Sequence, residues 1–160
     1  MSAAANNDLI TRFYSAFTER DGLTMSACYA PDAHFSDPVF SNLNGAEPGA
    51  MWRMLTSRGK DLEVELVEHD ATENTGHARW IANYTFTQTD RHVVNDVRAN
   101  FKFEHGLIMD HLDDFNFHKW SRQALGVSGL LLGWTPIIRG TVQKRARDGL
   151  DKFIAAESAV

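Results

Sequence analysis

The sequence contains a single cysteine, few prolines and no long uninterrupted apolar run. Cys28 is the only cysteine among 160 residues, so no internal disulfide can form and no zinc site can be built from thiolates. The longest apolar stretch, from Leu130 to Ile138, is broken by Gly133 and Pro136 and is shorter than the ~20 residues needed to span a bilayer. The first residues show neither the basic nor the apolar region of a signal peptide. We therefore expect a cytoplasmic protein.

The chain has no excess of basic residues. It contains 16 Lys and Arg and 21 Asp and Glu, which gives a net charge of −5. Binding to a nucleic-acid backbone requires a basic excess. The chain has no phosphate-binding loop, dinucleotide fingerprint or nucleophile elbow. We expect no nucleic-acid partner and no cofactor.

The residues that are present predict an α+β domain. Apolar side chains make up 43% of the chain, enough for a core of its own. Helical spacing predicts a first helix, capped by Asn7 or Asp8, a short second helix over 23–29 and a third over 45–58. Period-two alternation then predicts four consecutive antiparallel strands, whose runs cover 62–66, 78–86, 93–103 and 107–117. The four strands form a sheet with one apolar face, and the helices must pack on that face to bury it.

The last 43 residues follow the sheet and show a different pattern. A helix over 118–125, an apolar glycine-rich connector over 126–133 and a long helix after Pro136 are predicted. We interpret 1–117 as the domain and 118–160 as a helical extension packed on it. The basic face of the last helix has two interpretations, a surface for a membrane or acidic partner and a solvated face. We favour the solvated face and expect no membrane partner.

Two ionisable residues interrupt the apolar face of the last strand. Alternation places His111 and Asp113 on the inward face, side by side at ~6.5–7 Å along the strand. They could hydrogen-bond to each other structurally, or Asp113 could take or orient a proton in a pocket with His111 as its partner. A metal site that also used His34 is the third possibility, but the chain offers no histidine pair or cysteine cluster to complete it. We expect no metal.

Asp37 is presented at a bend that Pro38 makes rigid, inside an apolar neighbourhood that disfavours its charged form. Two roles stay open, an aspartate that caps local backbone amides and a catalytic base. Tyr14, Trp52, Trp80 and Tyr84 would supply aromatic walls or hydroxyl donors to such a pocket, or would simply pack in the core.

The ordered set of motifs resembles the nuclear transport factor 2-like superfamily, and within it the SnoaL-like branch. The similarity covers residues 8–117. It is carried by Arg20-Asp21-Gly22, Cys28–Ala33, Phe35-Ser36-Asp37-Pro38, the helix after Gly45, and the hairpin Glu104-His105-Gly106 with the following strand that bears Asp113 and Phe115. The resemblance implies a curved sheet wrapped round a long helix, a cone with an apolar cavity, and a homodimer.

The same resemblance suggests roles for single residues. Asp37 lies where ketosteroid isomerases of this superfamily keep their general base. The places of their two oxyanion-hole donors hold Phe13 and Ala99, so both donors are missing, and Tyr14 is turned ~100° round the helix from Phe13. Asp113 falls near the aspartate that SnoaL-type polyketide cyclases and limonene epoxide hydrolases use, but Arg79-Trp80-Ile81 lacks the Arg-x-Asp pair of the hydrolases.

The leading hypothesis is a protein that binds a small apolar or carbonyl-bearing molecule and catalyses a cofactor-free proton transfer, such as isomerisation, cyclisation or dehydration. The predicted catalytic residues are Asp37, Asp113, His111 and Tyr14, and the predicted ligand contacts are Phe13, Trp52, Trp80, Tyr84, Ala99 and Phe115. One alternative is a non-catalytic member of the fold that binds a ligand or another protein. Another is a protein that acts at a lipid surface through its tail helix.

Overall fold

The structure of the chain is a computed structural model that describes residues 2–159. Its helices are α1 (Ala3–Thr18), α2 (Gly22–Ser26), α3 (Glu47–Arg58), α4 (Phe117–Leu125), α5 (Val127–Leu132) and α6 (Pro136–Ser158). Its strands are β1 (Tyr29–Ser36), β2 (Leu43–Asn44), β3 (Glu63–Ala71), β4 (Thr75–Phe86), β5 (Arg91–Glu104) and β6 (Leu107–Asp114). The predicted α+β class is confirmed.

The first helix starts earlier than its sequence pattern predicts. Ser2, and not Asn7 or Asp8, is the N-cap, and its hydroxyl accepts the Ala5 N–H at 3.2 Å. Three alanines with high helix propensity extend the helix to this cap. The buried Asn6 side chain then donates to the carbonyls of Thr72 and Glu73 at 2.8 and 3.0 Å, which ties α1 to the β3–β4 turn.

The six strands form one curved sheet in the order β2-β1-β6-β5-β4-β3. The predicted meander is confirmed as β3 to β6, and every pairing within it is antiparallel. The sequence did not predict the parallel pairing of β1 with β6, which places Phe35 beside His111. This pairing brings the two ends of the domain together.

The inward face of the last hairpin follows the predicted alternation except at one point. Val97, Ala99 and Phe101 on β5 are buried, as are His111 and Asp113 on β6. A register shift between Lys102 and Phe103 opposite β6 breaks the alternation near the turn. Ile108, which strict alternation with His111 and Asp113 would place on the outward face, is consequently fully buried.

The predicted connector over 126–133 is wrong, because residues 127–132 form the short helix α5. The predicted helix after Pro136 is present as α6. Leu150 of α6 is fully buried in the main core. α6 is joined to α3 by a bidentate ion pair between Arg53 and Glu157 at 2.9 and 2.7 Å, and by a second pair between Arg147 and Glu47. α6 therefore lies across α3 and beside the open end of the sheet.

Candidate functional site

A cavity of about 500 Å³ lies between the curved sheet, α3, the bend at 37–40 and α6. Most of its wall is apolar or aromatic. The lining side chains include Phe17, Phe40, Leu55, Leu62, Trp80, Phe86, Phe115, Ile138 and Val142. A smaller hollow of about 330 Å³ lies between the β3–β4 and β5–β6 turns, and no predicted site residue lines it. The larger cavity is therefore the one that concerns the predicted chemistry.

Asp37 lines this cavity from the bend that follows β1. Its Oδ1 accepts the backbone N–H groups of Val39 and Phe40 at 2.6 and 2.5 Å. Among residues 2–159, no donor lies within hydrogen-bond distance of Oδ2. The bend thus fixes the carboxylate through one oxygen and leaves the other for a guest.

The surroundings of Asp37 favour its protonated form. The Asp37 side chain is half-buried and lines the cavity. Burial raises the pKa of Asp37 from 3.8 to about 7, the two backbone N–H groups oppose this rise, and the charge of Asp113 adds to it. A carboxyl group with a pKa near neutrality can both accept and return a proton at physiological pH.

Asp113 reaches the cavity from β6 and is held by a chain of buried hydrogen bonds. The Trp52 Nε1–H donates to the Tyr29 hydroxyl at 2.8 Å, Tyr29 Oη lies 2.6 Å from His111 Nδ1, and His111 Nε2 lies 2.9 Å from Asp113 Oδ1. Only one proton arrangement gives every donor an acceptor: Tyr29 donates to Nδ1, and Nε2–H donates to Asp113. We call these four residues the polar chain.

The polar chain is enclosed by aromatic rings. His111 is fully buried, and the rings of Phe13, Phe35 and Phe101 surround its imidazole at centroid distances of 5.6, 5.0 and 4.3 Å. The hydrogen bonds of His111 are therefore shielded from solvent, and their geometry is held by packing on several sides. The aromatic shell therefore fixes the direction in which Asp113 points.

The structure brings most of the predicted site residues to one cavity. Its lining includes the two carboxylates and four of the predicted ligand contacts, namely Asp37, Asp113, Trp52, Trp80, Tyr84 and Phe115. The other four predicted residues lie behind that lining, namely His111, Tyr14, Phe13 and Ala99. Catalytic and ligand-binding roles stay predictions for all ten.

The two tyrosines that were predicted as donors have different surroundings. Tyr14 is buried against Phe13 and Trp80, and its hydroxyl has no hydrogen-bond partner among the described residues. Tyr84 lines the cavity, and its oxygen accepts the Trp120 Nε1–H at 2.9 Å. Burial raises the pKa of both phenols, so each carries its proton at neutral pH. The Tyr84 proton finds no acceptor within residues 2–159, so it is available to a guest.

Sequence reasoning missed Tyr29, Trp120 and the cavity-lining residues of α6. Tyr29 was assigned to the end of a helix, and the strand that it begins is irregular: Ala33 and Phe35 alternate, but Pro31 between them and Tyr29 is exposed. Trp120 belongs to a helix whose orientation depends on long-range packing. No local pattern encodes the position of α6, whose Gln143 side chain donates to the Pro38 carbonyl at 3.1 Å.

The third residue considered for a metal site, His34, lies apart from the cavity lining. His34 is half-buried and pairs with Asp110 at 2.9 Å, and this aspartate also pairs with Lys102. Within 2–159, no three His, Cys, Asp or Glu side chains gather closely enough to hold a metal ion. No helix in the described part of the chain is long and apolar enough to cross a membrane.

N-terminal helices combined with a curved six-stranded sheet form the α+β fold of the nuclear transport factor 2-like class of proteins. The chain belongs to the SnoaL-like domain family, whose family model matches residues 10–111. The predicted resemblance is confirmed at this level. Among curated proteins, no sequence matches this chain.

Solved structures share the fold at low sequence identity. A hypothetical protein with a ketosteroid isomerase-like fold from Catenulispora acidiphila, in complex with trimethylamine, has a TM-score of 0.65 at 12% identity, covering 80% of this chain and 97% of that one. A nuclear transport factor 2-like protein of unknown function from Burkholderia pseudomallei has a TM-score of 0.65 at 17% identity, covering 78% and 98%. An LEH-like epoxide hydrolase from M. tuberculosis has a TM-score of 0.65 at 18% identity, covering 81% and 97%. At these identities the likeness shows the fold alone.

Proposed function

We propose that this SnoaL-like protein binds a small, largely apolar carbonyl compound in the 500 Å³ cavity and catalyses a cofactor-free proton transfer next to the carbonyl group. The observation that carries the proposal is the meeting of Asp37 and Asp113 on one apolar cavity, where the pKa of Asp37 is raised to about 7. The volume lies within the ~300–1,000 Å³ range of small-molecule sites.

Asp37 acts as the base in this proposal. Its Oδ1 is occupied by two backbone N–H groups, and Oδ2 removes a proton from the carbon beside the carbonyl. The pair of electrons from the C–H bond forms a C=C bond as the carbonyl π electrons move to oxygen, which gives an enolate. Asp37 returns the proton to the same carbon, or, in an unsaturated carbonyl compound, to the far carbon of the conjugated dienolate. A base with a pKa near the working pH serves both steps.

Tyr84 is the proposed donor to the developing oxygen charge. Its oxygen already accepts a hydrogen bond from Trp120, which makes its own O–H a better donor. The Tyr14 hydroxyl lies behind the cavity lining, so Tyr84 is the better placed of the two predicted donors.

Asp113 and His111 form the orienting pair. Ala99, which stands where ketosteroid isomerases carry an oxyanion-hole acid, is the direct cross-strand neighbour of Asp113. The small Ala99 side chain leaves space for this carboxylate, so the acidic group has moved by one strand. The polar chain holds the Asp113 carboxyl group in place, and its proximity to Asp37 adds to the rise that burial causes in the pKa of Asp37.

A binding-only function is the second candidate, and one observation favours it. Asp37 caps the backbone N–H groups of its own bend, which is the ordinary structural use of an aspartate before proline. On this account the cavity holds a ligand and no bond is broken.

Deuterium exchange separates the two functions. A panel of apolar ketones is first screened for binding by thermal shift, and each binder is then incubated with the protein in D₂O and followed by proton NMR. The proposal predicts exchange at the carbon beside the carbonyl, with a loss of about 10²–10⁴-fold in Asp37→Asn and a smaller loss in Tyr84→Phe. Asp32→Asn, at an exposed aspartate on β1 outside the cavity lining, is the matched control and should exchange at the wild-type rate. Binding without exchange establishes the binding-only function, and the absence of any binder contradicts both.

A further inference from the structure

An exposed apolar surface lies at the end of the chain's last helical segment. It consists of α5 and the first turn of α6, residues 127–137, and we call it the apolar tip. Six of its large side chains are at least half exposed: Val127, Leu130, Leu131, Leu132, Trp134 and Ile137. Trp134 is 73% exposed and Ile137 is 79% exposed. Clusters of this kind on soluble domains mark sites of interaction.

The packing of α5 forces these side chains outward. Gly129 and Gly133 are buried and lie directly against Ser121 of α4. A Cβ atom on Gly129 would lie 1.8 Å from the Ser121 carbonyl oxygen, and one on Gly133 would lie 2.1 Å from the Ser121 hydroxyl. Since only glycine fits on the inner face, the leucines can only occupy the outer one. The exposure is thus built into the helix pair.

The charge around the apolar tip identifies the chemistry of its partner. Between residues 115 and 147 the chain has six Lys and Arg and none of its 21 Asp and Glu, although its net charge is −5. Lys119, Arg122 and Arg139 are exposed on the helices that flank the tip. An apolar surface bordered by cations on an otherwise acidic protein is complementary to an anionic lipid surface, which offers acyl chains below a layer of negative headgroups.

We propose that the apolar tip inserts into the surface of an anionic lipid bilayer. Leu130, Leu131 and Ile137 enter the acyl boundary, Trp134 lies at the headgroup level, and the flanking cations contact lipid phosphates. Ser128 of the tip also lines the cavity, as do Leu125 and Ile138, which border the tip. The bilayer bound by the tip then lies next to the cavity. If the cavity holds an apolar guest, as the proposed function states, that guest can pass between the bilayer and the cavity.

Trp134 supplies a direct readout of insertion. The other three tryptophans are 3%, 6% and 4% exposed, so a solvent-dependent change in emission reports on Trp134. Vesicles of phosphatidylcholine containing phosphatidylglycerol should shift the emission to shorter wavelength and carry the protein upward in a flotation gradient. Vesicles of phosphatidylcholine alone should do neither. Raising the salt from 0.1 to 1 M shortens the screening length from ~10 to ~3 Å and should weaken the binding.

Two sets of variants test the two components of the surface. Leu131→Ser with Leu132→Ser should abolish flotation, whereas Leu23→Ser, at an even more exposed leucine on α2, should leave it unchanged. Lys119→Gln with Arg122→Gln should weaken partitioning by roughly 25-fold, about fivefold per charge. The matched control, Arg12→Gln with Lys60→Gln, removes two exposed charges elsewhere and should have little effect.

Three results would overturn the proposal: no binding to anionic vesicles, equal binding to neutral ones, or full binding by the double serine variant. Sedimentation velocity on the same proteins identifies the competing explanation. That explanation is a contact between two copies of the chain. It would be supported by a dimeric wild type and a monomeric serine variant, neither of which binds vesicles. None of these outcomes depends on deuterium exchange, so the vesicle experiments and the test of the proposed function can fail independently.

Discussion

Asp37→Asn should make the protein more stable at neutral and alkaline pH. The pKa of Asp37 is raised from 3.8 to about 7 in the folded protein, mainly by burial. Between these two values the folded state keeps a proton that the unfolded state has released, so stability falls as pH rises through this window. Asparagine stays neutral, and its Oδ1 can still accept the Val39 and Phe40 N–H groups.

The size of the effect follows from the shift. About three pKa units at 1.36 kcal/mol each amount to about 4 kcal/mol, an upper value because water in the cavity screens the charge. About 2 kcal/mol of this should develop between pH 5 and pH 7. The advantage of Asp37→Asn over the wild type should therefore grow by up to about 3 kcal/mol from pH 5 to pH 8.

Urea denaturation of both proteins at pH 5, 6, 7 and 8 measures this growth, and the comparison between pH values cancels any fixed cost of the substitution. Asp32→Asn, at an exposed aspartate on β1, serves as the control and should show no growth. A constant difference between Asp37→Asn and the wild type across this range would refute the argument that Asp37 is held protonated by its surroundings.

Three further comparisons test the packing around the site. Tyr29→Phe should destabilise the protein by about 2–4 kcal/mol in urea denaturation, because the buried Trp52 N–H and His111 Nδ1 both lose their partner. Tyr14→Phe removes a hydroxyl that bonds to no described residue, so it should be neutral or slightly stabilising. Equal losses would mean that the polar chain is not formed. Gly129→Ala should disrupt the contact of α5 with α4 and lower the melting temperature, while Gly140→Ala, which meets nothing within 4 Å, should raise stability by about 0.5–1 kcal/mol. Leu150→Ala should cost about 2–4 kcal/mol of unfolding free energy, and a cost below 1 kcal/mol would show that α6 is not packed on the core.

Local patterns were sufficient for much of the fold. The third helix was predicted to close at Gly59, and α3 does end at Arg58 with Gly59 as its C-cap. Period two located the meander and the inward faces of His111 and Asp113, because alternation on a strand is fixed by backbone geometry. The register shift that buries Ile108 could not be seen, since a bulge depends on the partner strand and not on the sequence around it.

In the candidate site, too, local features could be predicted and long-range contacts could not. Asp37 and Asp113 could be proposed from a bend and from a face, which are local features. The polar chain could not, because Tyr29 and His111 lie 82 residues apart and meet only through the parallel pairing of β1 with β6. The cover that α6 gives the cavity likewise depends on contacts such as Arg53 with Glu157, 104 residues apart. The exposure of the apolar tip depends on how two glycines pack against α4, which spacing alone does not reveal.

The central claim, that an apolar cavity holds Asp37 as a base poised near neutral pH, is tested most directly by carbon-13 NMR. The side-chain carboxyl resonance of Asp37, assigned by its loss in Asp37→Asn, is followed from pH 3 to pH 10. The account predicts a midpoint of about 7, and a lower midpoint in Asp113→Asn, where one cause of the raised pKa is removed. A midpoint close to the ~3.9 of an ordinary aspartate would contradict it.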